Sequence, residues 1–211
     1  MLPVLLAAAL LLIAGVWWTL AVLAWTVWGR VHESPGARQA RLQARKRGKG
    51  GLNLLDVVGF GIPVVIPIGL AIDGLFGSKW VFYSPNWSFF FPWADVVQAI
   101  GAVMLFIALP VFTSGAYLTG KYVFSKRAEE RKLLRVGPYR FVRHPIYLGF
   151  GLLAAGYVLL ALNYLAFPCL VLFMDWGWRK EDTELEKRYG AEYIEYRDRT
   201  GAFFPRIRKR S

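Results

Sequence analysis

Cysteine and histidine are scarce in this chain. Its 211 residues include one cysteine, Cys169, and two histidines. A single cysteine excludes an intrachain disulfide and a cysteine-based metal site, and His32 has no companion at a ligand spacing, so we expect no bound metal. The chain also lacks a P-loop, a dinucleotide-binding glycine fingerprint and a nucleophile elbow, which argues against the enzyme classes that depend on them.

Charged residues are few, and acids are fewer than bases. Charged side chains make up 19% of the chain, against about 25% in soluble proteins, while 56% of the residues are hydrophobic. The 26 Lys and Arg exceed the 14 Asp and Glu, which gives a net charge of +12. All but one of these bases fall within residues 30–49, 121–143 and 179–210, between long apolar stretches. By the positive-inside rule these blocks are cytoplasmic, so we expect a lipid bilayer as partner and no nucleic acid.

The apolar stretches predict an all-α membrane protein. Three of them form single spans, at residues 2–28, about 52–76 and about 95–120. Each reaches the roughly 20 residues that a helix needs to cross the hydrocarbon core of a bilayer. The loop between the second and third spans, residues 77–93, is rich in Trp, Phe and Tyr and is typical of an interfacial aromatic belt.

A fourth stretch, residues 146–178, contains no basic side chain. It is too long for one span and too short for two full spans. Asn163 divides it nearly in half. We therefore expect a short helical hairpin, with arms at residues 146–162 and 164–178. This hairpin brings the total to about five transmembrane helices.

The chain is predicted to be a single integral-membrane domain, residues 1–211, folded as a polytopic helical bundle. Its three N-terminal spans lie in residues 1–120 and its functional core in residues 121–211. The first span has no basic residue before it, which indicates a membrane anchor and not a cleaved signal peptide. Because the basic blocks lie inside, we expect the N-terminus outside and the C-terminus cytoplasmic, in a membrane of the inner-membrane type.

A turn and a helix start precede the hairpin. Gly137 and Pro138 are a turn signal, and Pro145 fits the first turn of the next helix, where its missing N–H costs nothing. The free N–H groups of that helix start, with Arg143 and His144, suit a carboxylate or a phosphate. The alternative is that Arg140 and Arg143 are snorkelling anchors at a helix start and His144 is a capping residue.

The polar tail after the hairpin predicts two cytoplasmic helices, at residues 179–189 and 192–199, with Gly190 as the cap between them. Glu181 and Glu184 are three residues apart and so share one face of the first helix. The hairpin returns this face beside the Arg-His segment, which predicts a pocket for a zwitterionic ligand; alone, such acids are typical of a solvated face. Three tyrosines at helical spacing are expected to pack on the bundle or the lipid surface and not on a base: Tyr189, Tyr193 and Tyr196.

Together these motifs resemble the integral-membrane methyltransferases of the isoprenylcysteine carboxyl methyltransferase and phospholipid methyltransferase type. The resemblance covers about the last 110 residues, and the first two spans do not contribute to it. It implies an enzyme that binds S-adenosylmethionine at the cytoplasmic interface and methylates a lipophilic or lipid-linked acceptor. The residues that carry it are the run from Leu133 to Gly149, then Glu181-Asp182-Thr183-Glu184-Leu185, Tyr189-Gly190, Tyr193, Tyr196 and Pro205.

The resemblance also implies roles for individual residues. Glu181 and Arg143 are the expected catalytic residues. Relatives that methylate a carboxylate have an Arg one helical turn before the first acid, where this chain has Gly177, so a carboxylate acceptor is less strongly implied. Arg179 is the expected substitute for binding the substrate. Nine residues are expected to bind the cofactor: Leu133, Leu134, Tyr139, His144, Pro145, Ile146, Tyr147, Glu181 and Asp182.

Two other functions stay open at this point. Membrane sterol reductases also have an Arg-His motif and a Tyr-rich tail but bind NADPH, and the adjacent Glu181 and Asp182 are poor neighbours for its 2′-phosphate. A non-enzymatic membrane protein whose basic blocks bind anionic lipids is the second alternative.

Overall fold

Helices make up all the regular structure in the part of the chain that the computed structural model describes, namely residues 4–31, 33, 35–36, 38–39, 42, 68–73, 75–76, 92–124, 132–163 and 178–206. The predicted all-α class is confirmed there. A π-helical turn, Gly120–Phe124, continues the second helix, and a 3-10 turn, Gly137–Arg140, precedes the third. The α-helices are α1 (Val4–Val31), α2 (Ala94–Thr119), α3 (Pro145–Ala161), α4 (Trp178–Tyr189) and α5 (Ala191–Arg199).

Two of these helices are long and apolar enough to cross a membrane, within Leu5–Trp25 and Ala94–Val123. They correspond to the first and third predicted spans. Helix α3 matches the first predicted arm of the hairpin, but its 17 residues reach only about 26 Å. The second arm, residues 164–177, and most of the second span lie outside the described residues, so the total of five spans stays a prediction.

Apolar side chains are exposed along both long helices. In water such surfaces would promote aggregation, whereas in a bilayer they contact lipid of matching polarity. This exposure supports the membrane character that the composition predicts. Examples are Leu5 at 64%, Ile13 at 61%, Val103 at 56% and Phe106 at 80%.

Contacts divide the chain into two compact units, and the first comprises residues 1–22, 52–110 and 149–174. Within it, α2 and α3 approach closely at glycines. A Cβ atom on Gly101 would lie 2.6 Å from the backbone nitrogen of Leu160, and one on Gly156 would lie 3.0 Å from the carbonyl oxygen of Gly101. Small residues of this kind let two apolar helices pack backbone against backbone.

Two further contacts lie in the described part of the first unit, a hydrogen bond from a buried amide and a contact between two aromatic rings. Gln98 is fully buried in α2, and its Nε2 donates a hydrogen bond of 3.0 Å to the carbonyl oxygen of Leu160. That carbonyl belongs to the last turn of α3. The ring of Trp18 packs edge-on against Phe150, with 4.4 Å between centroids.

The second unit comprises residues 23–51, 111–148 and 175–211 and includes every residue to which the sequence assigns a role in the site. Helices α4 and α5 pack together in it and are joined at Gly190, whose φ of +54° and ψ of −127° suit glycine alone. The two predicted tail helices and the glycine between them are therefore confirmed. Behind α5 the chain returns to the start of α3, where Val142 and Gly201 form an isolated parallel bridge. The single domain and its division at residue 120 stay predictions.

Candidate functional site

The start of α3 is held by the C-terminal segment. The backbone N–H of Arg143 donates to the carbonyl of Gly201 at 2.9 Å, and that of His144 donates to Ala202 at 3.1 Å. Pro145 is the first residue of α3, as predicted, and the carbonyl of His144 accepts the N–H of Leu148 at 2.9 Å. The side chains of residues 143 and 144 are thereby placed against α4 and α5 of the same unit.

Asp182 lies at the centre of a hydrogen-bond cluster. Its Oδ1 accepts from His144 Nε2 at 2.7 Å and from the Tyr193 hydroxyl, and its Oδ2 accepts from Arg143 Nη2 at 3.3 Å. Burial alone would raise the pKa of Asp182. The hydrogen bonds from His144 and Tyr193 and the charge of Arg143 outweigh that effect and lower the pKa to about 2, so this side chain is ionised at neutral pH.

Arg143 is a connector within this cluster. Its side chain is only 9% exposed, and its Nη1 donates to the carbonyl oxygens of Arg197 at 3.2 Å and Thr200 at 2.5 Å. One guanidinium therefore ties the start of α3 to the end of α5 and, through Asp182, to α4. The sequence predicts Arg143 as a cation open to a ligand, whereas in the structure its terminal nitrogens donate to protein oxygens. Its catalytic role stays a prediction.

Glu181 precedes Asp182 and has a different environment. Its Oε2 lies 3.8 Å from Nδ1 of His144, and 47% of its side chain is exposed. Desolvation by the surrounding protein raises the pKa of Glu181, although the charge of His144 and a hydrogen bond from Tyr147 oppose that effect. Glu181 is thus an acid whose charge is poorly compensated by the protein, which suits a group that receives a cationic ligand.

A cavity of about 800 Å³, open mouth included, lies in the same unit. Five of the residues that the sequence analysis names as cofactor-binding or catalytic line it, namely Leu133, Leu134, Tyr139, Arg143 and Glu181. Its other lining residues are Thr119, Val123, Lys132, Glu184, Leu185, Arg188, Tyr189 and Tyr196.

Tyrosines form an ordered part of the cavity wall. The hydroxyl of Tyr139 and Oγ1 of Thr119 share a hydrogen bond of 2.8 Å, and the hydroxyl of Tyr196 donates to the carbonyl of Tyr139 at 2.7 Å. Burial raises the pKa of Tyr139, and it raises that of Tyr196 to about 12, so both phenols are neutral at physiological pH. Tyr193 is fully buried and Tyr196 nearly so. The predicted packing role of the tyrosine stripe is confirmed for these two.

The remaining predicted residues are not in the cavity wall. His144 and Asp182 lie beside it and contact its Glu181 and Arg143. Pro145, Ile146 and Tyr147 form the first turn of α3. Arg179 is exposed, with its guanidinium over the ring of Trp178 at 5.3 Å. The cofactor and substrate roles assigned to these residues stay predictions.

The cavity wall combines both signs of charge with apolar and aromatic surface. Glu181 and Glu184 supply carboxylates, and Lys132 and Arg188 supply cations that sequence reasoning did not single out. In the sequence these two residues were visible only as members of two basic blocks. No group of three or more His, Cys, Asp or Glu that could hold a metal ion occurs among the residues with described positions.

Comparison with known proteins gives two matches over the region that contains this site. Residues 95–187 match the model of the isoprenylcysteine carboxyl methyltransferase (ICMT) family. Protein-S-isoprenylcysteine O-methyltransferase of Saccharomyces cerevisiae is 36% identical over 90 residues, which is 40% of this chain and 37% of that protein. Both matches confirm the resemblance that the motifs indicated, and both carry names of the isoprenylcysteine type.

Proposed function

We propose that this chain, whose residues 95–187 match the model of the isoprenylcysteine carboxyl methyltransferase family, uses S-adenosylmethionine to methylate a lipophilic or lipid-linked acceptor at the cytoplasmic face of a membrane. The observation that carries this proposal is the composition of the cavity. One cavity is lined by residues from both sides of the predicted hairpin. Those before the hairpin are Leu133, Leu134 and Tyr139, and the one after it is Glu181.

The cavity wall fits this cofactor chemically. S-adenosylmethionine carries a sulfonium and an ammonium group, a carboxylate and an adenine. Glu181 and Glu184 suit the cationic groups, while Lys132 and Arg188 suit the carboxylate. Leucine side chains and neutral tyrosine rings suit the flat, weakly polar adenine.

When bound, S-adenosylmethionine supplies a methyl group on a positively charged sulfur that a nucleophile can displace. The chain's own contribution is to hold two reactants in line, which needs no covalent intermediate. Arg143 and Asp182 connect the start of α3 with α4 and α5 through partly buried hydrogen bonds, which hold these elements of the site together. The raised pKa of Glu181 makes it the residue best suited to take a proton from an acceptor that must lose one.

The position of the cavity supports an acceptor that arrives from the bilayer. Thr119 and Val123 line it, and both lie at the end of the candidate span Ala94–Val123. Basic residues follow that span, among them Lys132 and Arg135, which by the positive-inside rule favours the cytoplasmic side. The type of membrane and the orientation of the termini are part of this proposal.

The test is methyl transfer by the purified protein in detergent micelles, with S-adenosylmethionine labelled on its methyl group. Three acceptors are offered: S-farnesylcysteine, a phosphatidylethanolamine and a long-chain alkyl thiol. Labelling of the prenylcysteine is expected, because both comparisons carry names of that type. Labelling of another acceptor would keep the reaction class and change the substrate. The absence of saturable binding of S-adenosylmethionine, or saturable binding of NADPH in its place, would contradict the proposal.

A further inference from the structure

Two consecutive phenylalanines in the segment that follows α5, residues 201–206, have opposite environments. The ring of Phe203 has its centroid 5.3 Å from that of Trp178 and 6.3 Å from that of His144. The next residue, Phe204, is 78% exposed. We call residues 201–206 the closing segment, because one of its rings packs against the site while the following ring points away from the protein.

A second exposed ring lies on the other side of the backbone bridge. Phe141 directly precedes Val142, which forms the bridge to Gly201, and Phe141 is 61% exposed. A Cβ atom on Gly201 would overlap the carbonyl oxygen of Phe204, so the backbone of Phe204 also lies against this bridge. Single exposed apolar side chains are ordinary on a protein surface, but two large rings beside one bridge mark a surface for interaction.

Both exposed rings have an arginine close by in the chain. Arg140 precedes Phe141, Arg206 follows Phe204 by two residues, and both arginines are exposed. Nη1 of Arg206 donates to the carbonyl oxygen of Asp198 at 2.7 Å. In the part of the chain that the structure describes, neither arginine forms an ion pair with a carboxylate, whereas both arginines in the last turn of α5 are paired with glutamates. The rings are therefore flanked by positive charges that no described acid pairs with.

This surface fits the interfacial layer of an anionic membrane. Aromatic side chains beside basic ones are the composition with which protein surfaces bind that layer. Phe141 lies four residues before Pro145, where the uncharged helix α3 begins, and four residues span at most about 14 Å. The headgroup layer begins where such an apolar helix leaves the hydrocarbon core. A second copy of the chain fits less well, because two molecules of charge +12 repel each other.

We propose that Arg140, Phe141, Phe204 and Arg206 form a docking patch for the surface of an anionic membrane, and that docking holds the closing segment against the site. In the docked state the two rings lie among the lipid headgroups and the two arginines bind lipid phosphates. Phe203 is then kept beside Trp178 by its neighbour in the chain. The docking itself is independent of the proposed function, whereas its effect on ligand binding rests on that function.

Hydrogen exchange measures the docking on the protein without ligand. The backbone N–H groups of Arg143 and His144 donate to the closing segment, so their exchange reports how often it opens. The protein is compared in nanodiscs of phosphatidylcholine alone and of phosphatidylcholine mixed with phosphatidylglycerol. We expect exchange of these two amides to be about three- to tenfold slower in the mixed lipid, and we expect high salt to remove the difference. Equal exchange in the two lipids would overturn the proposal.

Two variants and a charge-matched control test the patch itself. Phe204→Ser and Arg206→Gln are each expected to lose most of the lipid effect, and both positions are exposed, so the fold is retained. Lys187→Gln removes one exposed positive charge from α4, outside the patch, and should keep the effect. If both patch variants keep the full effect, or if Lys187→Gln loses it as well, the patch is wrong and the lipid acts on net charge alone.

Calorimetric titration with S-adenosylhomocysteine in the same nanodiscs is the functional readout. This ligand has no net charge at neutral pH, so the charge of the membrane surface does not concentrate it. We expect the wild type and Lys187→Gln to bind it about three- to tenfold more tightly in the mixed lipid than in phosphatidylcholine. Phe204→Ser and Arg206→Gln should bind it equally in both lipids.

The outcomes separate this inference from the proposed function. If the wild type binds no S-adenosylhomocysteine in either lipid but exchange slows in the mixed lipid, the docking is supported and the proposed function fails. If exchange slows and the affinity is the same in both lipids, the coupling between docking and the site is wrong. If lipid composition has no effect and Phe204→Ser instead dissociates an oligomer in micelles, the patch contacts a second copy and the proposal is overturned.

Discussion

Val142 and Gly201 form a parallel bridge that joins the segment preceding α3 in the sequence to the segment following α5. The bridge continues into hydrogen bonds from the N–H groups of Arg143 and His144. It also brings Phe203 next to the site, with its ring centroid 6.3 Å from that of His144 and 5.3 Å from that of Trp178. The segment that follows α5 therefore packs against the imidazole of His144.

Replacement of Gly201 by alanine tests this closure. A Cβ atom there would overlap the carbonyl oxygen of Phe204, which is backbone and cannot turn away as a side chain would. We expect Gly201→Ala to displace the segment, lower the melting temperature and weaken binding of S-adenosylhomocysteine by about tenfold or more. Thermal unfolding followed by circular dichroism, with calorimetry on the same samples, checks this. Unchanged melting and affinity would show that the bridge is dispensable.

Replacement of Glu181 by glutamine should stabilise the protein while it harms binding. The pKa of Glu181 in the folded protein is raised above its ordinary value of 4.5. Between the unfolded-state pKa and the raised folded-state pKa, the folded state therefore binds more protons than the unfolded state. Stability falls as the pH rises through this range. Glu181→Gln removes this penalty at neutral pH. The site is partly exposed, so we expect the melting temperature of the ligand-free protein to rise by less than about 4 °C.

The pH dependence of the same variant gives its control. Below about pH 4.5, where Glu181 is protonated in both states of the wild type, the two proteins should melt at the same temperature. Glu195→Gln loses a surface ion pair and should be neutral or slightly destabilised at every pH. If Glu181→Gln melts at a lower temperature than the wild type at neutral pH, the sign of the predicted pKa shift is wrong.

Asp182 should behave in the opposite way. Its pKa is lowered from 3.8 to about 2, so the stability that its carboxylate contributes is complete above about pH 4 and is lost as the pH falls towards 2. At neutral pH, Asp182→Asn is expected to reduce the free energy of unfolding by about 2 kcal/mol. Denaturant unfolding between pH 2 and pH 7 measures both effects. If the wild type and the variant lose the same free energy of unfolding between pH 4 and pH 2, another group causes the acid sensitivity.

The glycine contact between α2 and α3 can be tested without the site. A Cβ atom on Gly101 would lie 2.6 Å from the backbone nitrogen of Leu160, so Gly101→Ala must push the helices apart. A cost of about 1–3 kcal/mol is typical of such overpacking. Gly151→Ala is the matched control, because a Cβ atom there meets nothing within 4 Å, and it should be neutral or stabilising by up to about 1 kcal/mol. Equal stabilities of the two variants would contradict this packing.

Helix positions were predictable from the sequence because they depend on local patterns. The third span was expected at about residues 95–120, and α2 covers Ala94–Thr119, because an uncharged run ends at Gly120 and Lys121. Pro145 predicted the start of α3, and Gly190 predicted the break between α4 and α5, because each residue restricts or extends the backbone in a way that few others do.

The atomic pairing in the site was not predictable in the same way. Spacing predicted that Arg143, His144, Glu181 and Asp182 lie in one neighbourhood, which the structure confirms. It did not indicate that Asp182 would accept hydrogen bonds from both Arg143 and His144. The bridge between Val142 and Gly201 was not predictable either, because a single pair of residues gives no periodic pattern in the sequence. Such contacts depend on tertiary packing, and a sequence read alone gives no distances.

The most direct test of the central claim is a calorimetric titration of the purified wild type and of Glu181→Gln with S-adenosylhomocysteine. The account predicts saturable one-site binding to the wild type and an affinity about tenfold or more weaker in the variant, since a desolvated carboxylate beside a cationic ligand is lost. Absence of saturable binding to the wild type, or equal affinity of the two proteins, would contradict it.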